Sequence, residues 1–121
     1  MSWLYNVKTG ELRNPAGAII GLGYSGSREA KNNPAFEHVA NLGPLPRGVW
    51  TMGPADTHPE LGPICIPLHP CMGTNTFARH DFFIHGDNPA HPRDSSHGCP
   101  VFGPTTRTML ALSTDRGFIA E

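Results

Sequence analysis

Phe82-Phe83-Ile84-His85-Gly86 and His97-Gly98-Cys99-Pro100-Val101-Phe102, separated by ten residues, form the stretch on which the reading of this chain turns. Phe82 to Ile84 is a short apolar run of the kind that forms a buried strand, which would deliver His85 from a rigid strand end into a loop-lined cleft. The intervening Asp87 to Ser96 is polar and contains two prolines, so His85 and Cys99 bracket a loop between apolar segments. A free thiol has a pKa near ~8.5 and is only a few per cent thiolate at neutral pH, so a catalytic cysteine needs a nearby imidazole or a field of backbone N–H groups. Gly98 permits a backbone turn that aims consecutive N–H groups at one point, where an oxyanion could sit. The pattern nominates Cys99 as nucleophile and His85 as its base, with the N–H groups of Gly98 and Cys99 and the side chain of His97 as oxyanion donors. The plain alternative is a buried cysteine acting as a small hydrophobe.

Working outward, Trp3, Tyr5 and Val7 alternate with polar residues, and Lys8-Thr9-Gly10-Glu11 reads as the turn of an opening β-hairpin whose second strand begins near Leu12. Ala16 to Leu22 is a third apolar run, interrupted by glycines. Phe36, Val39 and Ala40 after Pro34 allow a helical turn or two, and Gly43-Pro44-Leu45-Pro46 forces a turn before a strand over 48–52. The Pro- and Gly-rich stretch 53–63 reads as a loop. Ile64, Ile66 and Leu68 alternate as a strand that Pro67 should confine to an edge or end early. Gly103-Pro104-Thr105-Thr106 opens a helix with Met109, Leu110 and Leu112 as its apolar face, and Gly117-Phe118-Ile119 closes the chain as a strand. The expected fold is mostly β, a β-rich α+β arrangement with one C-terminal helix.

The chain has 121 residues, which suits a single domain over 1–121 with one modest core. Only 16% of residues are charged and the net charge is -1, so no nucleic-acid footprint is expected. Fourteen glycines and thirteen prolines favour a loop-rich β protein over a helical bundle. Met1-Ser2-Trp3-Leu4-Tyr5 lacks the basic and apolar regions of a signal peptide, and no run approaches the ~18 apolar residues of a membrane span. The expectation is a protein made in the cytoplasm without a signal peptide and not inserted in a membrane.

Three cysteines are an odd count. Cys65 and Cys71 could pair through a turn at Pro67 and Pro70, leaving Cys99 free, or both could be buried thiols. Six histidines, His58, His69, His80, His85, His91 and His97, fall within about forty residues and make zinc a rival, although tight His-x3-His or Cys-x2-Cys pairs are missing. No metal or cofactor is assigned. Ser96 could bond backbone groups of the Cys99 turn or be a plain loop serine. Asp81 and Asp87 are candidates to orient an imidazole. Arg79, Arg93 and Arg47 are candidates to hold a substrate carboxylate, Arg79 first because it precedes the His85 strand.

Ile84-His85-Gly86 followed by Ser96-His97-Gly98-Cys99 resembles the signature of the L,D-transpeptidase (YkuD-type) catalytic domains, which act on peptidoglycan stem peptides. Tyr24-Ser25-Gly26 is similar to that family's Ser-containing turn, and Pro46-Arg47-Gly48-Val49-Trp50-Thr51-Met52 to its Pro-x-Gly-x-aromatic-x-aliphatic strand. Two features depart from the pattern: thirteen residues separate His85 from Cys99, fewer than usual, and Pro100-Val101 replaces the apolar-Arg pair that commonly follows the cysteine. The compact form looks most like the L,D-transpeptidase-related effectors that bacteria inject into competitors by type VI secretion. The resemblance implies a small β-sandwich or barrel and a thiol acyl transfer at the third residue of a tetrapeptide stem. Ser96, Gly86 and Arg79 are the residues expected to bind substrate, Arg79 partly replacing the arginine missing after Cys99. The resemblance also implies action in the periplasm of a target cell, and a secretion apparatus and a cognate immunity protein as partners. A zinc-dependent wall hydrolase and a non-enzymatic binding domain are the competing readings.

Overall fold

The computed structural model describes residues 1–88 and 96–121. Its strands are β1 (Ser2–Tyr5), β2 (Glu11–Arg13), β3 (Ile19–Leu22), β4 (Gly48–Met52), β5 (Asp56–His58), β6 (Gly62–Pro70), β7 (Phe83–Ile84) and β8 (Gly117–Ala120), with one α-helix among the described residues, α1 (Pro104–Leu112). They form one curled sheet, a half-barrel, in the order β3-β2-β1-β8-β4-β6-β5, with β7 on the other side of β6. A mostly β chain with a helix near its C-terminus is what the sequence leads one to expect.

The opening hairpin forms as its alternation requires: β1 runs antiparallel to β2 with Leu4 opposite Arg13, and Trp3, Tyr5 and Val7 are all buried. β8 lies between β1 and β4, parallel to the first and antiparallel to the second, so the chain's last strand is central. Two 3-10 turns, Arg28–Ala30 and Pro34–Phe36, fill the polar connection before β4. The second is capped by the Asn33 side chain, which accepts the Ala35 N–H at 3.1 Å. The core gathers Tyr5, Trp50, Ile66, Ile84, Phe102, Leu110 and Phe118. Trp50 and Phe82 meet edge to face at 5.1 Å between ring centroids, tying the centre of the sheet to the segment that carries His85.

Three expectations change. Residues 56–58, read as part of a loop, form β5 and pair with the start of β6, Asp56 opposite Cys65. β6 is nine residues long and interior, with Pro67 in its middle. The Pro67 carbonyl accepts the Gly53 N–H at 2.8 Å, so its main-chain polar groups face the gap between β4 and β5. The missing proline N–H therefore falls where no strand needs it. On α1 the buried residues are Arg107 and Leu110, whereas Met109 and Leu112 are 42% and 79% exposed.

Cys65, Cys71 and Cys99 are all free thiols, so the Cys65–Cys71 bridge does not form. Cys65 lies within β6 and Cys71 just beyond its end, and six residues of extended strand span about 20 Å, far beyond the ~7 Å limit between Cα atoms of a disulfide. Three thiols are therefore expected to react with Ellman's reagent in denaturant without reductant. A count of one would restore the bridge.

Candidate active site

β7 delivers His85 as the sequence suggests, but its other neighbour is a segment with no strand of its own. His85 bridges Val101 in parallel, donating its N–H to Pro100 O and accepting the Phe102 N–H on its carbonyl, both at 3.1 Å. Val101 in turn exchanges both main-chain bonds with Tyr24, at 3.1 and 2.7 Å. This pairing sets Cys99 beside Phe83, whose N–H donates to Cys99 Sγ at 3.3 Å. Phe82 and Ile84 point into the core, so Phe83 and His85 occupy the opposite face of β7.

On that face His85, Cys99, His97, Asp81 and His58 line one cavity of about 470 Å³. Two arms continue it. One, of about 400 Å³, shares Cys99, His97 and Asp81 and extends past Arg79; the other, of about 310 Å³, shares His85 and reaches Gly86 and Arg107. Cys99 stands where the first arm meets the central cavity and His85 where the second does.

His85 is 3% exposed, and its Nδ1 sits 2.8 Å from Gly86 O. A carbonyl only accepts, so Nδ1 carries the proton and the Nε2 lone pair is left for a base. Burial lowers the His85 pKa, the bond to the Gly86 carbonyl works against it, and the nearby Arg107 charge adds to the lowering. Its imidazole is neutral at pH 7. Asp81 and Asp87 do not orient it: Asp81 is paired with His80 at 2.9 Å, and the Tyr24 hydroxyl donates to Asp87 Oδ1 at 2.5 Å. The orienting group is the Gly86 carbonyl.

Cys99 is not a preformed thiolate. Desolvation pushes its thiol up to about 11, partly offset by the Phe83 N–H, and its S–H is directed at Asp81 O at 3.5 Å. Asp81 itself has φ +64°, uncommon for a residue with a side chain. Rapid alkylation at pH 6, the mark of an acidic catalytic cysteine, is therefore not expected. Labelling of Cys99 by iodoacetamide should instead rise about tenfold per pH unit from neutrality toward its pKa. A rate already on its plateau at pH 7 would overturn this reading of the thiol.

Ser96 is a buried hub. Its hydroxyl accepts the Gly26 N–H at 2.9 Å and the Gly98 N–H at 3.1 Å and donates to Cys99 O at 2.6 Å, with no exposed surface. The Gly98 N–H, expected as an oxyanion donor, is thus consumed inside the turn, whereas the Cys99 N–H has no partner among the described residues. Gly98 has φ +130°, and a Cβ there would lie 2.1 Å from Arg79 Nη2. Only glycine fits.

Arg79, expected to meet a substrate carboxylate, is 9% exposed and spends its guanidinium on backbone: Nη1 on Glu37 O and Pro44 O at 2.5 and 2.9 Å, Nη2 on Gly43 O at 3.0 Å with a long contact to His97 O at 3.5 Å. It braces the wall of the cleft. Arg47 is paired with Glu37 at 2.9 Å, while Arg93 and His91 lie outside the described residues. His97 is an exposed side chain at the junction of the central cavity and the Arg79 arm. Among the described residues no three His, Cys, Asp or Glu side chains are grouped to hold a metal ion, and no helix is long and apolar enough to cross a membrane.

The sequence reading gave Arg107 no role and His58 only a place in the histidine cluster. His58 Nδ1 accepts the Glu60 and Leu61 N–H groups at 3.1 and 3.2 Å, and its ring packs on Phe83 at 5.2 Å, so the tip of the β5–β6 hairpin forms one wall of the groove. A half-buried histidine cannot be told from a surface one without that tertiary contact. The one signal for Arg107 in the sequence is that it is the only charged residue of α1.

The site is thus of the thiol and neutral-imidazole class, built on a curled β-sheet. No family model matches the chain, and no curated protein matches it.

Proposed function

We propose that the chain is a cysteine acyltransferase or hydrolase acting on peptidoglycan tetrapeptide stems, removing or exchanging the terminal D-alanine. The observation that carries this reading is the orientation of His85: Nδ1 is committed to the Gly86 carbonyl, and the ring shares one cavity with Cys99. The resemblance of Ile84-His85-Gly86 and Ser96-His97-Gly98-Cys99 to L,D-transpeptidase signatures supplies the substrate class.

In the proposed reaction the stem binds with the carbonyl of its third residue at Cys99, and the thiol turns from Asp81 O toward His85. His85 Nε2 takes the Sγ proton as sulfur attacks the carbonyl carbon. The Cys99 N–H faces the developing oxyanion. The C–N bond to D-alanine breaks, and the proton held on His85 leaves with the amine. Water then resolves the thioester to a tripeptide, and an amine in its place gives exchange or a cross-link. The short His85-to-Cys99 connection favours an open groove in which hydrolysis and exchange of small amino acids dominate. By the same resemblance the proposed setting is a type VI effector, acting in a recipient periplasm and neutralised in its producer by an immunity protein.

The test is mass spectrometry of purified tetrapeptide muropeptides incubated with the protein and with Cys99→Ser, with and without chelator and added D-amino acid. Chelator-resistant loss or exchange of D-alanine that vanishes in the variant is expected. Unchanged muropeptides in every tube would refute the reading, and loss blocked by chelator would point to a metal hydrolase.

A further inference from the structure

Arg107 reaches from α1 into the fold and is 8% exposed. Nε donates to Phe102 O at 3.0 Å, and Nη1 to Pro63 O at 2.7 Å with a longer contact to Ile64 O at 3.4 Å. Nη2 carries two more N–H groups, and neither has a hydrogen-bond partner among the described residues. No ion pair involves Arg107 among those residues, and Nη2 is not sealed from solvent. It opens on the arm of about 310 Å³ that it lines with His85 and Gly86. A Cβ at position 86 would come within 2.6 Å of Nη2, so the glycine beside the base is what lets the guanidinium edge reach the groove. Three carbonyls hold the cation in place, and among the described residues no anion answers its charge. A buried cation without an anion is costly, and its outward N–H groups fit a carboxylate oxygen.

We infer that Arg107 Nη2 is the anchor for the α-carboxylate of the amino acid that leaves, or enters, on the His85 side of the groove. This rests on the acyl-transfer reading, and the placement follows from its chemistry. The amine that breaks away must lie against His85 Nε2 to receive its proton. Two covalent bonds separate that nitrogen from its carboxylate carbon, a span of about 2.5 Å. A carboxylate so tethered falls beside His85, where Gly86 and Arg107 form the wall. Glu60, which lines the same arm, suits the ammonium of a free amino acid rather than its carboxylate. The site therefore selects a zwitterion, and Arg107 takes over the carboxylate-holding role expected of Arg79.

Two experiments on the full chain test this. The first titrates D-alanine and D-alaninamide into ¹⁵N-labelled protein, following the Arg107 Nε–H and the Gly86 N–H by NMR. Saturable shifts with D-alanine, at least about tenfold weaker with the amide, are expected. Equal binding of both, or of neither, would overturn the site. The second compares wild-type kcat/KM on tetrapeptide stems ending in a free carboxylate or a carboxamide, where a loss of about 10- to 100-fold is expected for the amide. It needs no variant, so it stands even if Arg107→Gln fails to fold. A folded Arg107→Gln should treat acid and amide alike. Selective binding of D-alanine without turnover would keep the anchor and refute the acyl-transfer reading. Turnover that ignores amidation would keep that reading and refute the anchor.

Discussion

Glutamine in place of His85 is expected to lower kcat/KM for D-alanine release by about 10²- to 10⁴-fold, the usual worth of a general base. The side chain can still meet the Gly86 carbonyl but cannot accept a proton from sulfur. The pH profile gives a second signature. In the wild type the base is neutral above a pKa that burial holds below 6.5, and the thiol stays protonated up to about 11. The rate should thus fall only on the acid side of about pH 6.5 and run level from about pH 7 to 10. Without the imidazole only the free thiolate can react, so the residual rate of His85→Gln should climb about tenfold per pH unit across the same range. A variant with wild-type rate, or with a level profile, would remove His85 from the mechanism. The same depressed pKa has a stability consequence. Below about pH 6.5 the unfolded chain binds a proton that the folded His85 resists, so stability falls as pH falls through that value.

Ser96→Ala is expected to destabilise the fold by about 2–4 kcal/mol, since each buried polar group left without a partner costs about 1–3 kcal/mol. Its hydroxyl serves three main-chain groups in a site with no exposure, the Gly26 and Gly98 N–H groups and the Cys99 carbonyl. Alanine leaves all three unanswered. Thermal unfolding should move down by about 10 °C, and activity should fall further than stability because the Gly98-Cys99 turn loses its tie to Gly26. A loss under about 0.5 kcal/mol by denaturant titration would mean that water replaces the hydroxyl.

These two residues mark how far the sequence reaches. His85 was legible because an apolar strand ends on it, and Cys99 because Gly98 and a polar loop precede it. β4 and the start of α1 were legible from Pro and Gly at their boundaries. Of the two readings open for Ser96, the bond to the Cys99 turn is the one found, to the Gly98 N–H and the Cys99 carbonyl. Its tie to Gly26 and the bracing role of Arg79 were not legible, because those partners, Gly26 for Ser96 and Glu37, Gly43 and Pro44 for Arg79, lie 35 to 70 residues away. A hydrogen bond from side chain to distant backbone leaves no periodic trace. β5 was hidden by its Pro- and Gly-rich neighbours, and the length of β6 by Pro67, which fits an interior strand only because its unpaired side faces the gap between β4 and β5. The carboxylate role went to Arg79 for its place before the His85 strand, yet the guanidinium whose Nη2 has no partner among the described residues is Arg107.

Both guanidiniums approach the site through a glycine. Arg79 Nη2 occupies the space a Cβ at Gly98 would need, and Arg107 Nη2 the space of one at Gly86. The two departures from a generic loop, His-Gly and Gly-Cys, thus have a packing reason besides any catalytic one.

The measurement that reaches the central claim most directly is the intact mass of the protein, acid-quenched during turnover of a tetrapeptide stem. A thioester on Cys99 adds the mass of the stem less that of D-alanine, maps to the peptide containing Cys99, is cleared by hydroxylamine and is absent from Cys99→Ala. Release of D-alanine by Cys99→Ala at the wild-type rate, with no adduct on either protein, would contradict the account.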